Sequence, residues 1–166
     1  MIAVACGARV VAVDVSPGAL ELARACGAAV CLDGAALAGA GEVAAAVREA
    51  TGGGAHLSLD ALGSHATCAA SIEGLRRRGR HVQVGLLPAA QGRPALPMDL
   101  VIAYELELRG SHGMAAHAYP ELLGLIDAGV LRPGELITRT IGLDDAPEAL
   151  AAMGRPATGG MTVIRP

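Results

Sequence analysis

Strand-like and helix-like segments alternate along almost the whole chain, and this alternation limits the folds that the chain can adopt. The first pair is the apolar, β-branched run RVVAVD at residues 9–14, followed at once by a Ser16-Pro17 helix start. Serine at the N-cap and proline at the first helical position are typical of a helix N-terminus. Parallel strands need long crossover connections, which helices usually supply. We therefore predict an α/β fold, with a parallel sheet covered by helices on both faces.

The same alternation continues to residue 87, and after a proline-rich loop at residues 88–97 it resumes less regularly. Residues 1–7 are predicted to be the last turns of a helix, closed by Gly7. Further strands are predicted at residues 29–32, 56–60, 81–87, 105–110, 137–141 and 161–164. Further helices are predicted at residues 17–27, 42–50, 64 to about 78, 98–103, 120–128 and 144–153.

Composition excludes several classes of function. The 166 residues suit one domain, and they carry a formal charge of −3 with Tyr104 and Tyr119 as the two aromatic side chains. Nucleic-acid binding is not expected, because it needs a basic field and stacking rings. The chain lacks a charged-then-apolar leader and an apolar stretch of about 18 residues, so no membrane association is expected. Four cysteines without a Cys-x-x-Cys pair predict neither a zinc knuckle nor a redox motif, and they favour the cytoplasm.

Several short segments carry a family resemblance through their order and spacing. They are VVAVDVS at 10–16, GGGAHLSLDALGS at 52–64, RGRHVQVGL at 78–86, ELRGS at 107–111, DAGVLRP at 127–133 and APEAL at 146–150. In this order they resemble the C-terminal, NAD-binding half of the medium-chain zinc-dependent alcohol dehydrogenases. The resemblance implies a Rossmann-type doubly wound parallel sheet that lacks its first strand and its glycine-rich loop.

The resemblance also divides the chain at residue 111. Residues 1–111 would form a partial dinucleotide-binding domain, and residues 112–166 the remainder of that domain with a return segment to the catalytic domain. Zinc ligands of the family are expected upstream of Met1, so zinc is expected only outside this chain, and this chain alone is expected to be inactive. Without the first strand, the strands that end at Asp14 and Asp60 are each expected to keep an unpaired inner edge.

By the same resemblance, Asp14 is the carboxylate that accepts the hydroxyls of the adenosine ribose. No Arg or Lys follows it closely, which favours NAD over NADP because the carboxylate would repel a 2′-phosphate. The other cofactor-binding residues are expected to contribute mainly backbone at the strand ends. They are Ala61 and Leu62 on the ribose and adenine side, and Val84, Gly85, Leu86 and Ser111 near the nicotinamide carboxamide.

The function implied is hydride transfer between a nicotinamide and a small alcohol or carbonyl substrate, with this chain supplying the cofactor side. Two alternatives stay open: a non-catalytic nucleotide-binding or interaction module, and a zinc-independent quinone reductase relative. The family also implies a homodimer that pairs through the predicted strand from Glu105 to Gly110.

Some residues have simpler interpretations. Asp14 could be a turn residue before a helix, and Asp60 is interpreted as a turn or cap acid without a catalytic role. Ser64 beside His65 is interpreted as a helix cap, since adjacent side chains point apart. The arginines at 76–78 are interpreted as a charge run at a helix C-terminus.

Overall fold

The computed structural model describes residues 1–88, 90, 92–153 and 159–166, and in these ranges helices and strands alternate as expected. The helices are α1 (Ile2–Ala5), α2 (Pro17–Ala25), α3 (Ala40–Thr51), α4 (His65–Glu73), α5 (Met98–Ala103), α6 (Tyr119–Asp127) and α7 (Ala146–Ala152). The strands are β1 (Val11–Asp14), β2 (Val30–Asp33), β3 (Ala55–Asp60), β4 (Leu75–Gln83), β5 (Glu107–Gly110), β6 (Ile137–Gly142) and β7 (Met161–Arg165).

Every strand pair among the described residues is parallel. The pairs are β1 with β2, β3 with β4, β4 with β5, and β6 with β7. A helix connects the two strands of each pair, because a parallel return needs a crossover longer than a hairpin turn. The predicted α/β class with parallel sheets is confirmed.

The chain divides into two compact units. The first contains residues 1–35 and 114–166, with β1 and β2 joined by α2, and β6 and β7 joined by α7. Leu20, Leu131 and Ile141 are its buried apolar residues among those described. Ser16 caps α2 by accepting a hydrogen bond from the Ala19 N–H at 3.4 Å, as the sequence predicts.

The second unit contains residues 36–113 and holds the sheet β3-β4-β5. Ile72 at the end of α4 and Leu75 at the start of β4 are fully buried. The Arg48 guanidinium on α3 donates to the carbonyl oxygens of Glu73 at 2.8 Å and Leu75 at 3.0 Å, so it fixes α3 to the turn between α4 and β4. In the described part of this unit β3 has one strand neighbour, β4.

One predicted boundary is wrong. We predicted a helix from Ser64 to about residue 78 and a strand from residue 81, but α4 ends at Glu73 and β4 begins at Leu75. Leu75 pairs with Ala55, and residues 76–79 then bulge before Arg80 pairs with Leu57. The arginines at 76–78 therefore lie on a strand bulge. The helix ends early because Leu75 becomes fully buried in the sheet, which outweighs the helical propensity of the arginines.

The remaining predicted elements are present within a few residues of their expected ends. Gly7, Gly27 and Gly129 have φ angles of 80°, 96° and 70°, as glycines that close helices commonly do. Of the predicted loop at residues 88–97, Ala89 and Gln91 lie outside the described residues.

Candidate functional site

Two loops meet at the carboxyl ends of β3 and β4. We call residues 61–63 the β3 loop and residues 84–86 the β4 loop. Their backbones are so close that a Cβ added to Gly85 would lie 2.6 Å from the Leu62 carbonyl carbon and 2.7 Å from the Gly63 Cα. Gly63 has a φ of 83°, which glycine adopts without strain. Glycine is required at both positions for this approach.

Asp60 holds the two loops together. Its Oδ1 accepts hydrogen bonds from the N–H groups of Leu62 at 3.0 Å and Gly63 at 3.1 Å, while its Oδ2 accepts one from Gln83 Nε2 at 2.8 Å. Its backbone oxygen accepts the N–H groups of Val84 at 2.9 Å and Gly85 at 2.8 Å. The residue interpreted from sequence as a turn acid does make that turn, and it also binds the neighbouring strand.

The Asp60 carboxyl is buried and ionised. It is 3% exposed. Burial raises the pKa of this carboxyl, but hydrogen bonds from the Gln83 side chain, the Gly63 N–H, the Thr67 hydroxyl and the Leu62 N–H together lower it by more, so the pKa lies below its ordinary value. The groups that donate to this carboxylate are neutral: three amides and the Thr67 hydroxyl. The charge is therefore stabilised by oriented dipoles.

A chain of hydrogen bonds continues from Asp60 into the buried face of the sheet. Gln83 Nε2 donates to Asp60 Oδ2 and to the Gly85 oxygen, each at 2.8 Å, so the amide nitrogen of Gln83 must point this way. Its Oε1 then accepts from His81 Nε2 at 3.1 Å, and His81 Nδ1 is 3.0 Å from Ser58 Oγ. His81 is 2% exposed. In its neutral form this histidine therefore carries the Nε2 proton and accepts the Ser58 hydroxyl proton at Nδ1.

An open cleft of about 380 Å³ lies at the carboxyl ends of β4 and β5. Gly110 lines it, and a Cβ built there meets no heavy atom within 4 Å. Leu86 is 70% exposed, so the wall of the cleft includes apolar surface that the protein itself does not cover. We call this the carboxyl-end cleft; its lining residues are Gln83, Val84, Gly85, Leu86, Leu87, Gly110, Ser111 and His112.

A second cavity of about 240 Å³ lies on the face of the sheet that α4 covers. Cys68 of α4 and His81 of β4 line it, and Gln83 lines both this cavity and the carboxyl-end cleft. Burial, with a smaller contribution from the negative charge of Asp60, raises the pKa of the Cys68 thiol. The thiol is therefore protonated at neutral pH.

Asp14 belongs to the first unit and ends β1. Its Oδ1 accepts the Ser16 N–H at 2.8 Å, and the residue is exposed. The carboxylate therefore makes the turn that the simpler interpretation predicted. Asp33 ends the neighbouring strand β2 and makes the equivalent bond to the Ala35 N–H at 2.9 Å.

The cleft brings together four of the residues predicted from sequence, Val84, Gly85, Leu86 and Ser111. Leu62 adjoins them through the contact between the two loops, and both Ala61 and Leu62 are exposed. The sequence reasoning missed the contributions of Ser58, His81 and Gln83. The signal that could have found them is the alternation of polar residues at 58, 60, 81 and 83, because the parallel register places 58 beside 81 and 60 beside 83.

Metal ligands are not clustered in the described ranges: no group of three or more His, Cys, Asp or Glu side chains could hold an ion there. The described residues thus do not fit a zinc site.

Comparison with known proteins identifies the family. The family model described as "Zinc-binding dehydrogenase" matches residues 1–128, which is most of the chain. The chain belongs to this family. Its place among the medium-chain alcohol dehydrogenases, an oxidoreductase family, agrees with the resemblance seen in the sequence.

Individual relatives are similar over nearly the whole chain. A protein named "Probable D-xylulose reductase A" from Aspergillus niger is 29% identical over 157 residues, covering 94% of this chain and 43% of its own length. An alcohol dehydrogenase from Aeropyrum pernix is 28% identical, with a TM-score of 0.80, and the match covers 96% of this chain and 43% of that one. A structure described as an NAD-dependent alcohol dehydrogenase is 25% identical, with a TM-score of 0.85 over 99% of this chain and 46% of its own. The chain thus spans less than half the length of these relatives.

None of the helices in the described ranges combines the length and the apolar character needed to cross a membrane.

Proposed function

We propose that this zinc-binding dehydrogenase chain is the NAD-binding half of an alcohol dehydrogenase that transfers hydride between the nicotinamide and a small alcohol or carbonyl compound. Its relatives include a protein named as a xylulose reductase and structures named as alcohol dehydrogenases. The chain spans 43% of the first of these relatives. Under this proposal, the part of the relatives that the chain does not cover supplies the rest of the active site.

The carboxyl-end cleft carries this proposal. Ligands of open α/β sheets bind outside the carboxyl ends of the strands, and a volume of about 380 Å³ lies within the range of small-molecule sites. The apolar side chains of Val84 and Leu86, which are 42% and 70% exposed, could pack on a flat ring. Gly110 leaves room for the ring, and the exposed Ser111 hydroxyl could bond a carboxamide.

These features fit the nicotinamide end of NAD. Bound there, the nicotinamide would supply the hydride donor or acceptor of the reaction. The chain's own contribution would be to orient the ring with the β4 loop and Ser111, and to exclude water with Leu86 and Leu87. Ala61 and Leu62 would pack on the ribose and adenine side.

Asp14 is proposed to choose NAD over NADP. Its exposed carboxylate could accept the ribose hydroxyls and would repel a 2′-phosphate. Asp14→Asn should therefore raise the Kd for NADH and reduce the preference for NADH over NADPH. Asp33→Asn is the matched control, because Asp33 ends the next strand and makes the same kind of turn. Equal effects of the two changes would refute a specific role for Asp14.

Titration of the purified chain with NADH and NADPH tests the proposed function. The chain contains no Trp, so the cofactor's own fluorescence would be followed. We expect binding of NADH, and its loss in Gly110→Val, whose side chain would enter the cleft. Gly41→Val is the control: Gly41 lies in α3, and a Cβ built there also meets open space.

The outcomes separate the alternatives. NADH binding with equal affinity in the Gly110 and Gly41 variants would remove the cleft as the cofactor site. Binding of NADH by the chain, with no turnover after the remaining part of a relative is supplied as a separate polypeptide, would favour the non-catalytic module. A preference for NADPH would favour the quinone reductase relative.

Further features of the proposal concern organisation. We propose the division at residue 111, zinc only outside this chain, a cytoplasmic location, and a homodimer through Glu105 to Gly110. The dimer is supported by β5, which pairs with β4 along one edge in the described part of its unit. Size-exclusion chromatography that gives a monomer at micromolar concentration would contradict the dimer.

A further inference from the structure

We propose that Asp60 and Gln83 are positioning residues, and that their buried hydrogen bonds set the spacing of the β3 and β4 loops at the carboxyl-end cleft. This inference rests on the proposed function only where it concerns the cofactor. Asp60 bonds both loops: its side chain accepts from the β3 loop, and its backbone oxygen accepts from the β4 loop. Gln83 then connects the Asp60 carboxylate to the Gly85 oxygen.

The direction of every bond in this network follows from its chemistry. A carboxylate and a carbonyl oxygen can only accept, so Gln83 must present its nitrogen to both Asp60 and Gly85. The Gln83 oxygen must then face His81, 3.1 Å away. Rotating the Gln83 amide would leave both Asp60 and Gly85 without this donor and would place the Gln83 oxygen against two acceptor oxygens.

An isosteric change at Asp60 should therefore disturb both loops. Asp60→Asn keeps the shape but places an amide nitrogen opposite the Gln83 nitrogen. Gly63 can still donate to the asparagine oxygen, although this bond loses its charge. If Gln83 rotates to avoid the clash, the Gly85 oxygen loses its donor. If Gln83 does not rotate, two amide nitrogens face each other, so the link between the two loops is weakened in either arrangement.

Amide hydrogen exchange measured by NMR on the full chain tests this without any cofactor. In Asp60→Asn we expect exchange about tenfold faster at Gly63, whose N–H loses its bond to a charged oxygen. Exchange at Gly85 should also be faster, because the Gln83 amide that donates to the Gly85 oxygen is disturbed. The Ala55 amide, which donates to the Gly74 oxygen at the other end of β3, should be unchanged. Asp33→Asn, the same change at an exposed strand end, should alter neither loop.

A double variant tests whether the direction of the hydrogen bond between residues 60 and 83, and not the packing of their side chains, holds the loops. Gln83→Glu alone places a second carboxylate against that of Asp60 and should also speed amide exchange at Gly63 and Gly85. Combined with Asp60→Asn, it lets the asparagine nitrogen donate to the glutamate, and the glutamate can still accept from His81. Part of the protection at Gly63 should return, because the asparagine oxygen is again held toward its N–H, although this bond stays neutral and the Gly85 oxygen stays without the donor of residue 83. A role in packing alone predicts additive losses.

Several results would overturn the proposal. They are unchanged exchange at Gly63 and Gly85 in Asp60→Asn, faster exchange at Ala55 to the same extent, and no recovery in the double variant. If Asp60→Asn does not fold, Gln83→Ala gives the readout at Gly85 alone. In that variant Asp60 keeps its two backbone donors, whereas the Gly85 oxygen loses the Gln83 donor. Unchanged exchange at Gly85 in that variant would also overturn it.

Titration with NADH distinguishes this proposal from the proposed function. We expect Asp60→Asn to raise the Kd for NADH about tenfold. The control Asp33→Asn should leave this Kd unchanged. If the wild-type chain binds no NADH while exchange responds as expected, the proposed function fails and the positioning role stands. If Asp60→Asn speeds exchange but binds NADH as tightly as wild type, the loops do not position the cofactor, and this part of the inference is wrong.

Discussion

Gly85→Ala should destabilise the protein because it forces the β3 and β4 loops apart. The added Cβ would lie 2.6 Å from the Leu62 carbonyl carbon and 2.7 Å from the Gly63 Cα. Ordinary contacts between carbon atoms are about 3.5–4.0 Å, so the loops must separate by about 1 Å. The Gly85 φ angle is outside the left-handed range, so the contact itself, and not backbone strain, would produce the effect.

The magnitude follows from what the separation breaks. Both opposing atoms belong to the backbone and cannot rotate away, and overpacking of this kind costs about 1–3 kcal/mol. A shift of about 1 Å also weakens the bonds from the Val84 and Gly85 N–H groups to the Asp60 oxygen, now 2.9 and 2.8 Å long. Each contributes about 1 kcal/mol net. We expect a loss of about 2–4 kcal/mol in the free energy of unfolding.

Urea denaturation followed by far-UV circular dichroism measures this loss, because the chain has no Trp to report unfolding by fluorescence. Gly110→Ala is the matched control on the same cleft, since its Cβ meets no atom within 4 Å. It should change the free energy of unfolding by less than about 0.5 kcal/mol. Equal losses for the two variants would refute the argument that the loops are in close backbone contact.

Three further predictions concern stability. Asp60 has a folded-state pKa below its unfolded value, so its stabilisation is present above about pH 4 and is lost as the pH falls through the folded-state pKa. The stability difference between wild type and Asp60→Asn, measured by urea denaturation, should therefore shrink on acidification; a constant difference would contradict this. Ser64→Ala should cost about 1 kcal/mol, because Ser64 and Thr67 form a capping box, whereas Ser64→Thr should retain the cap. Glu107→Gln should have a small effect that disappears at high salt, since its ion pairs with Arg80 and Arg109 are exposed; an effect independent of salt would refute this.

The order of helices and strands could be predicted from sequence because local signals mark it. Ser16-Pro17 and Ser64 begin helices, and glycines such as Gly27 and Gly129 follow helix ends. These signals act over a few residues and depend little on tertiary contacts. The predicted boundary between α4 and β4 was wrong for the opposite reason. The observed boundary is set by the burial of Leu75 against β3 and by Arg48 from α3, neither of which a local pattern contains.

The candidate site was predictable only in part, for a similar physical reason. The strand ends were recognisable, and the segment at residues 84–86 does line the cleft. The hydrogen bonds among Ser58, His81, Gln83 and Asp60 depend on the register of two strands, because a shift of one residue would turn these side chains to the other face. The alternation of polar residues could be seen in the sequence. The hydrogen-bond partner of each polar group could not, because it depends on the strand register.

The two faces of β3 show why this network bears on function. Ser58 and Asp60 point to the side where they bond β4, whereas Leu57 and Leu59 are 49% and 57% exposed. Burying a carboxylate is costly unless its bonds are satisfied, and an apolar residue at position 60 would avoid that cost. An apolar residue, however, could not receive the N–H groups of both Leu62 and Gly63. The proposed positioning role therefore assigns the spacing of the two loops to the buried side chain of Asp60, which does not itself line the cleft.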